Sequence, residues 1–337
     1  MSLRKYYITD DLAFRLWRRA REARKEFAVP TRAAFAPSFP VADDWIALAS
    51  YLDSWGVGRP YSFLVSDSSQ RRVSQNGFSS VLCQNVPEHH SFMRIVDPAL
   101  EAFGFALYIA SPELNFVQMA SRFTLVQAIG YGFELCGWYT PDECARSSPN
   151  RLPAVANAQK LIALAEDARS VDGVVKARRA ARHVLDNAAS VKETEVAMMF
   201  TLPRRLRGFA VVRPELNYSI DPESRDRPFV SQDSYEVDLY WPDARVGVEV
   251  QTNKHHGNGA GLGDKWIRDA RRRNTLQYFG NTIIEATPGD FSSALGLAGL
   301  AEQVCKLAGF RIRPGQFDVD LPQLALYREV FDLSNRP

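Results

Sequence analysis

The sequence predicts a two-domain α/β protein, with an N-terminal α+β domain and a C-terminal mixed sheet whose antiparallel hairpin is flanked by helices. Three observations predict it. The chain of 337 residues is too long for one ordinary hydrophobic core. Short β-rich segments crowd residues 61–110, and helical patterning takes over from 112. Residues 235–252 read as strand, tight turn and strand, with a helix before them and helix, strand, helix after them.

Taken in order, Leu12 to Lys25 is an Arg-rich helical stretch, followed by a loop punctuated by Pro30, Pro37 and Pro40. A second helix is expected from Trp45 to Trp55, stopping at Gly56 and Gly58. The segments YSFLVSD, RVSQNGFSSVL, FMRIVD and FALYIA read as strands. Ser111-Pro112-Glu113 supplies an N-cap with proline at the first helical position, and helical patterning then runs to about Cys136. The Pro- and Ser-rich TPDECARSSPNRLP is the expected domain boundary. Domains are therefore expected at 1–140 and 190–310, joined by a helical connector at 141–189 and followed by a tail at 311–337. Within the second domain, helices are expected at Val191 to Phe200, Lys265 to Phe279 and Ser292 to Leu307, and strands at Phe209 to Val212 and Thr282 to Ala286.

With 46% hydrophobic and 24% charged residues the composition is that of a soluble globular protein. No run approaches the ~20 apolar residues of a membrane helix, and MSLRKYYITDDLAF carries charges where a signal peptide would be apolar. No membrane partner and a cytoplasmic location are expected. Cys83, Cys136, Cys144 and Cys305 form no CxxC pair and no zinc-ligand spacing, so they read as buried or semi-buried thiols. Net charge is only +2, but residues 1–40 hold nine Lys or Arg against four Asp or Glu, and 169–213 hold ten against four. A third cluster is Lys265, Arg268, Arg271, Arg272 and Arg273. Local basic surface of this kind suits nucleic acid, and it equally describes solvated helix faces.

Chemistry concentrates in SYEVDLYWPDARVGVEVQT. A turn at Pro242 to Arg245 pairs Trp241 with Val246, which sets Asp238 opposite Glu249 and Glu236 opposite Gln251. Strict alternation then places Tyr235, Val237, Leu239, Trp241, Val246, Val248 and Val250 on an apolar floor, and Glu236, Asp238, Glu249 and Gln251 on the other face. Facing carboxylates destabilise a ladder by roughly 0.2–1 kcal/mol unless water screens them or a cation joins them. Carboxylate oxygens are the ligands Mg²⁺ prefers.

The spacing Asp238–x10–Glu249–x–Gln251 resembles the signature of the PD-(D/E)XK nuclease superfamily, whose core is restriction-endonuclease-like. The flanks are similar, more narrowly, to Vsr-like (very-short-patch-repair type) endonuclease domains: Ser190, Glu193 and Thr194 on a leading helix, His255-His256 after the acidic strand, then Asp269, Arg272, Leu276 and Gly280. This resemblance, over residues 190–290, implies a metal-dependent DNA endonuclease in defence or mobile-element biology. It implies Mg²⁺ or Mn²⁺ held by Asp238, Glu249 and the Val250 carbonyl, with Gln251, Glu193 and His256 as further catalytic residues. The chain departs from the pattern at Gln251, where Lys is usual: a neutral amide orients water but takes no proton. Lys254 is the substitute cation nearest in sequence. Ser190-x-x-Glu193 is also a capping box, which leaves two roles open for Glu193. Arg271, Arg272 and Arg273, with Lys254, are the candidate DNA-backbone contacts.

FALYIASPELNFVQMA resembles part of the AbiEi-type antitoxins, and this resemblance together with Gln251 favours the alternative function, a non-catalytic DNA-binding regulator or antitoxin-like protein with a degenerate nuclease fold. DNA, a second copy of the chain, and a toxin or defence-system protein are the candidate partners.

Overall fold

Two mixed sheets organise the chain in the computed structural model, which describes residues 3–24, 27–31, 35–72, 77–83, 86–87, 91–141, 151–222, 230, 232–251 and 262–331, with 101 and 262–269 described by backbone alone. Contacts divide it into Met1–Cys136 with Glu143–Val184, and Gly137–Asp142 with Leu185–Pro337.

The first unit runs β1 (Arg4–Ile8), α1 (Asp10–Glu22), β2 (Ala28–Pro30), α2 (Trp45–Ser54), β3 (Tyr61–Val65), β4 (Phe78–Leu82), β5 (Phe92–Ile95), α3 (Pro98–Ala102), β6 (Phe105–Ala110), α4 (Pro112–Arg122), α5 (Leu125–Cys136), α6 (Ala158–Asp167) and α7 (Val174–Ala181). Its sheet has the order β2-β5-β6-β1-β3-β4. β1, which the sequence reading passed over as a charged terminus, lies inside that sheet, parallel to β6 from Arg4↔Phe105 to Ile8↔Ile109. Its partner is distant in sequence, so no local signal announces it. Ser111 caps α4 as expected, accepting from the Leu114 amide at 3.2 Å.

The expected connector is not one: α6 and α7 pack on α4 and α5 within the first unit. Basic residues are largely consumed there. The Arg178 guanidinium closes the C-terminus of α6, donating to the carbonyls of Ala165 at 2.7 Å and Ala168 at 2.6 Å, and Lys176 donates to the Phe123 carbonyl at the end of α4. On α1, Arg18 pairs with buried Glu134 through bonds of 2.8 and 2.9 Å, Arg15 with Asp11 and Arg19 with Glu22. Arg21, itself buried, donates to the carbonyls of Glu134 and Pro153. α1 is thus an amphipathic core helix, burying Leu12, Phe14, Leu16 and Trp17.

The second unit runs α8 (Val191–Thr201), β7 (Glu215–Ile220), β8 (Tyr235–Trp241), β9 (Val246–Val250), α9 (Leu262–Tyr278), β10 (Thr282–Ala286), α10 (Pro288–Phe291), α11 (Ala294–Leu307) and α12 (Leu321–Phe331). The sheet order is β10-β9-β8-β7, antiparallel except for β10, which runs parallel to β9. The strand expected at Phe209 to Val212 does not form. The amides of Phe209, Ala210 and Val211 return instead to carbonyls at the end of α8, namely Met199, Leu202 and Phe200. The strand begins at Glu215, after Pro214. The expected tail carries α12, which packs on α8. No helix among the described residues is long and apolar enough to cross a membrane.

Candidate active site

The hairpin turns through a short 3-10 turn, Pro242–Ala244, with Arg245 in the left-handed region at φ 52°. The pairs Leu239↔Val248, Tyr240↔Gly247 and Trp241↔Val246 follow, which is the register expected from the turn. The ladder goes no further. Where Asp238 and Glu249 would face each other, the Val250 amide donates to Asp238 Oδ2 at 2.7 Å, and the Gln251 amide turns to the Ala286 carbonyl of β10 at 2.8 Å.

The other neighbour of β8 is disturbed at the same level. Leu216↔Leu239 and Tyr218↔Val237 pair, but Asn217, between them and level with Asp238, stands in the left-handed region at φ 48°. Positive φ inside a strand marks a bulge-like kink, and asparagine tolerates it better than most residues. The strict alternation expected along β8 fails here. Tyr235, Val237 and Tyr240 share one cluster with Leu276 of α9. A Cβ on Gly247 would lie 2.6 Å from Val237 Cγ1 and 3.2 Å from Tyr240 Cδ2, so Val237 and Tyr240, three apart, face the same side. Trp241 belongs to the other face, where it donates to the Val212 carbonyl at 2.7 Å and meets Phe310 edge-on. The single apolar floor of the sequence reading is therefore two faces, each covered.

Glu249, two residues beyond Gly247 in a regular strand, lies on the side that α9 covers and is 9% exposed. Its Oε1 accepts from Arg272 Nη2 at 2.6 Å, and the same guanidinium donates to the Glu236 carbonyl. Burial, then the charge of Asp238, push the Glu249 carboxyl up to about 7 against the opposing pull of Arg272. Glu285, the partner of Glu249 on β10, adds to the rise and is paired with Arg273. Arg272 and Arg273, expected to meet phosphate, thus each hold an acid of the sheet. Arg271 remains exposed.

Ser190 caps the helix as expected, but the Glu193 carboxylate turns to the Ser190 hydroxyl and the Ala189 amide, one residue before the amide that a capping box would use. Ser190 Oγ accepts from the Glu193 amide at 3.1 Å and donates to Glu193 Oε1 at 2.8 Å, while Oε2 accepts from the Ala189 amide at 2.8 Å. Asn217 Nδ2 also reaches Oε2, at 2.6 Å. Asn217 was missed by sequence reasoning; an Asn amid apolar strand residues was the available signal. Gln251 is exposed at the end of β9. Lys254, His255 and His256 lie outside the described residues, as do the side chains of Lys265, Arg268 and Asp269.

The donors that could hold a divalent cation are Asp238, Glu249 and the Val250 carbonyl, all hard oxygens. Among the described residues no group of three or more His, Cys, Asp or Glu converges. The set still fits Mg²⁺ or Mn²⁺, since Mg²⁺ is commonly held by one or two carboxylates with waters and substrate phosphate completing its shell. Burial first, and the charge of Asp238 second, raise the Glu249 carboxyl; a cation between the acids would offset the second of these. Comparison of the chain with protein-family models, curated proteins and solved structures finds no match.

Proposed function

We propose that the second unit is a restriction-endonuclease-like domain that hydrolyses DNA phosphodiesters with a divalent cation. The observation that carries this reading is the buried, charge-stressed Glu249 beside Asp238, at the point where the β8–β9 ladder opens. A buried carboxyl raised by burial and by a neighbouring acid is the kind of perturbed group that clusters at functional sites. The cation would lower the pKa of a bound water and stabilise charge on the scissile phosphate. The chain's own residues do the rest. The Val250 amide holds the Asp238 carboxylate in place. The exposed Gln251 side chain, at the strand end, orients a water through its amide oxygen. Arg271 offers a guanidinium to the phosphate backbone.

The rival reading is a DNA-binding regulator on a degenerate nuclease scaffold. It is favoured by one observation: Arg272 already supplies Glu249 with a positive charge. Plasmid nicking with Mg²⁺ or Mn²⁺, run beside Asp238→Ala, separates the two. Metal-dependent cleavage lost in the variant is the expected result. Equal behaviour of wild type and variant would remove the enzymatic reading.

A further inference from the structure

Beyond Leu239↔Val248 the β8–β9 ladder gives way to bonds made by side chains. On β8 the Glu236 carbonyl accepts from Arg272, and on β9 Glu249 Oε1 accepts from the same guanidinium nitrogen at 2.6 Å. One cation therefore bridges the two parted strands beside the carboxylate pair. Its helix is anchored, because Leu276, one turn along α9, is buried against Tyr235, Val237 and Tyr240. The side chain itself is 29% exposed and so reaches solvent from an anchored helix.

A divalent cation bound to Glu249 would stand within ångströms of this guanidinium. Like charges so close repel strongly away from bulk water, so both do not share the carboxylate comfortably. We propose that Arg272 is a built-in competitor for the divalent cation. It occupies Glu249 in the metal-free protein and is displaced when metal binds, which frees it for a phosphodiester oxygen of the substrate. The inference rests on the metal-site reading above. It gives Arg272 both the contact seen here and, in the loaded protein, the phosphate role its sequence position suggested.

The test is calorimetric titration of Mn²⁺ into full-length wild type, Arg272→Gln, Arg272→Lys and Asp238→Ala. Alongside it, dicarbonyl modification of Arg272 in the wild type is followed by peptide mass spectrometry with and without Mn²⁺. Arg272→Gln, which removes the like charge, should bind Mn²⁺ about tenfold more tightly or better, and Arg272→Lys should stay within about threefold of wild type. Labelling of wild-type Arg272 should rise severalfold at saturating Mn²⁺. A folded Arg272→Gln with unchanged or weaker affinity overturns the proposal. Should that variant not fold, labelling decides alone: an unchanged or slower rate at saturating Mn²⁺ overturns it equally. Wild-type binding that Asp238→Ala abolishes, without a gain in Arg272→Gln, refutes the competitor and spares the metal site. No Mn²⁺ binding by either wild type or Arg272→Gln removes both.

Discussion

Replacing Glu249 by Gln should stabilise the metal-free protein at high pH and leave it almost unchanged at low pH. Burial and the neighbouring Asp238 raise the Glu249 carboxyl from 4.5 to about 7. Below about pH 4.5 the group is neutral in both folded and unfolded chains and contributes no penalty. As pH rises from 4.5 towards 7 the unfolded chain ionises first, and folding loses about 1.4 kcal/mol per pH unit. Above about pH 7 the loss is complete, at about 3 kcal/mol. Glutamine keeps the shape and removes the charge. Its amide oxygen still offers Arg272 an acceptor, and the attraction of Arg272 for the charged form is already contained in the raised value. The expected gain in EDTA is therefore about 3 kcal/mol at pH 8, shrinking to less than about 1 kcal/mol near pH 5. Urea unfolding of the second unit across that range measures it. Added Mg²⁺ should invert the sign at pH 8, because wild type then gains about 4.1 kcal/mol at a thousand times its Kd and the variant does not. An effect of Glu249→Gln that is the same at pH 5 and pH 8 would refute the reasoning.

Three further outcomes follow from particular contacts. Ser190→Ala removes the N-cap of α8 and a bond to Glu193, and should cost about 1–2 kcal/mol with or without Mg²⁺; a cost that appears only with Mg²⁺ would return Glu193 to the metal site. DNA affinity should fall with salt by a log–log slope of about −0.9 per phosphate neutralised, and Arg271→Ala should flatten it by about one unit. Arg273→Ala, whose guanidinium is paired with Glu285, should flatten it less in metal-free buffer, and equal effects would contradict the pairing seen here. Gln251→Lys should keep or raise Mg²⁺-dependent cleavage in the nicking assay; inert wild type and variant alike would favour the regulator.

Local signals in the sequence determined a good part of this protein. A Pro-led turn and a Val-rich strand were enough for the register Trp241↔Val246, because a hairpin's pairing is set by residues in contact along the chain. Ser111 and Ser190 announced α4 and α8, since a cap is satisfied within three residues of itself. What depends on distant partners was out of reach. β1 finds β6 about a hundred residues away, with no periodic pattern of its own. The basic runs looked like surface until the fold brought Glu134 to Arg18 and the Ala165 and Ala168 carbonyls to Arg178. Alternation along β8 assumed an unbroken strand, but the kink at Asn217 and the opening at Asp238 arise from bonds to Glu193 and Val250, on other elements. Arg272 reaches Glu249 only because α9 folds back across the sheet. The sequence alone named the acids; tertiary structure alone decided that one of them is buried, raised in pKa and already paired with Arg272, because burial and Coulomb interactions depend on distances in space.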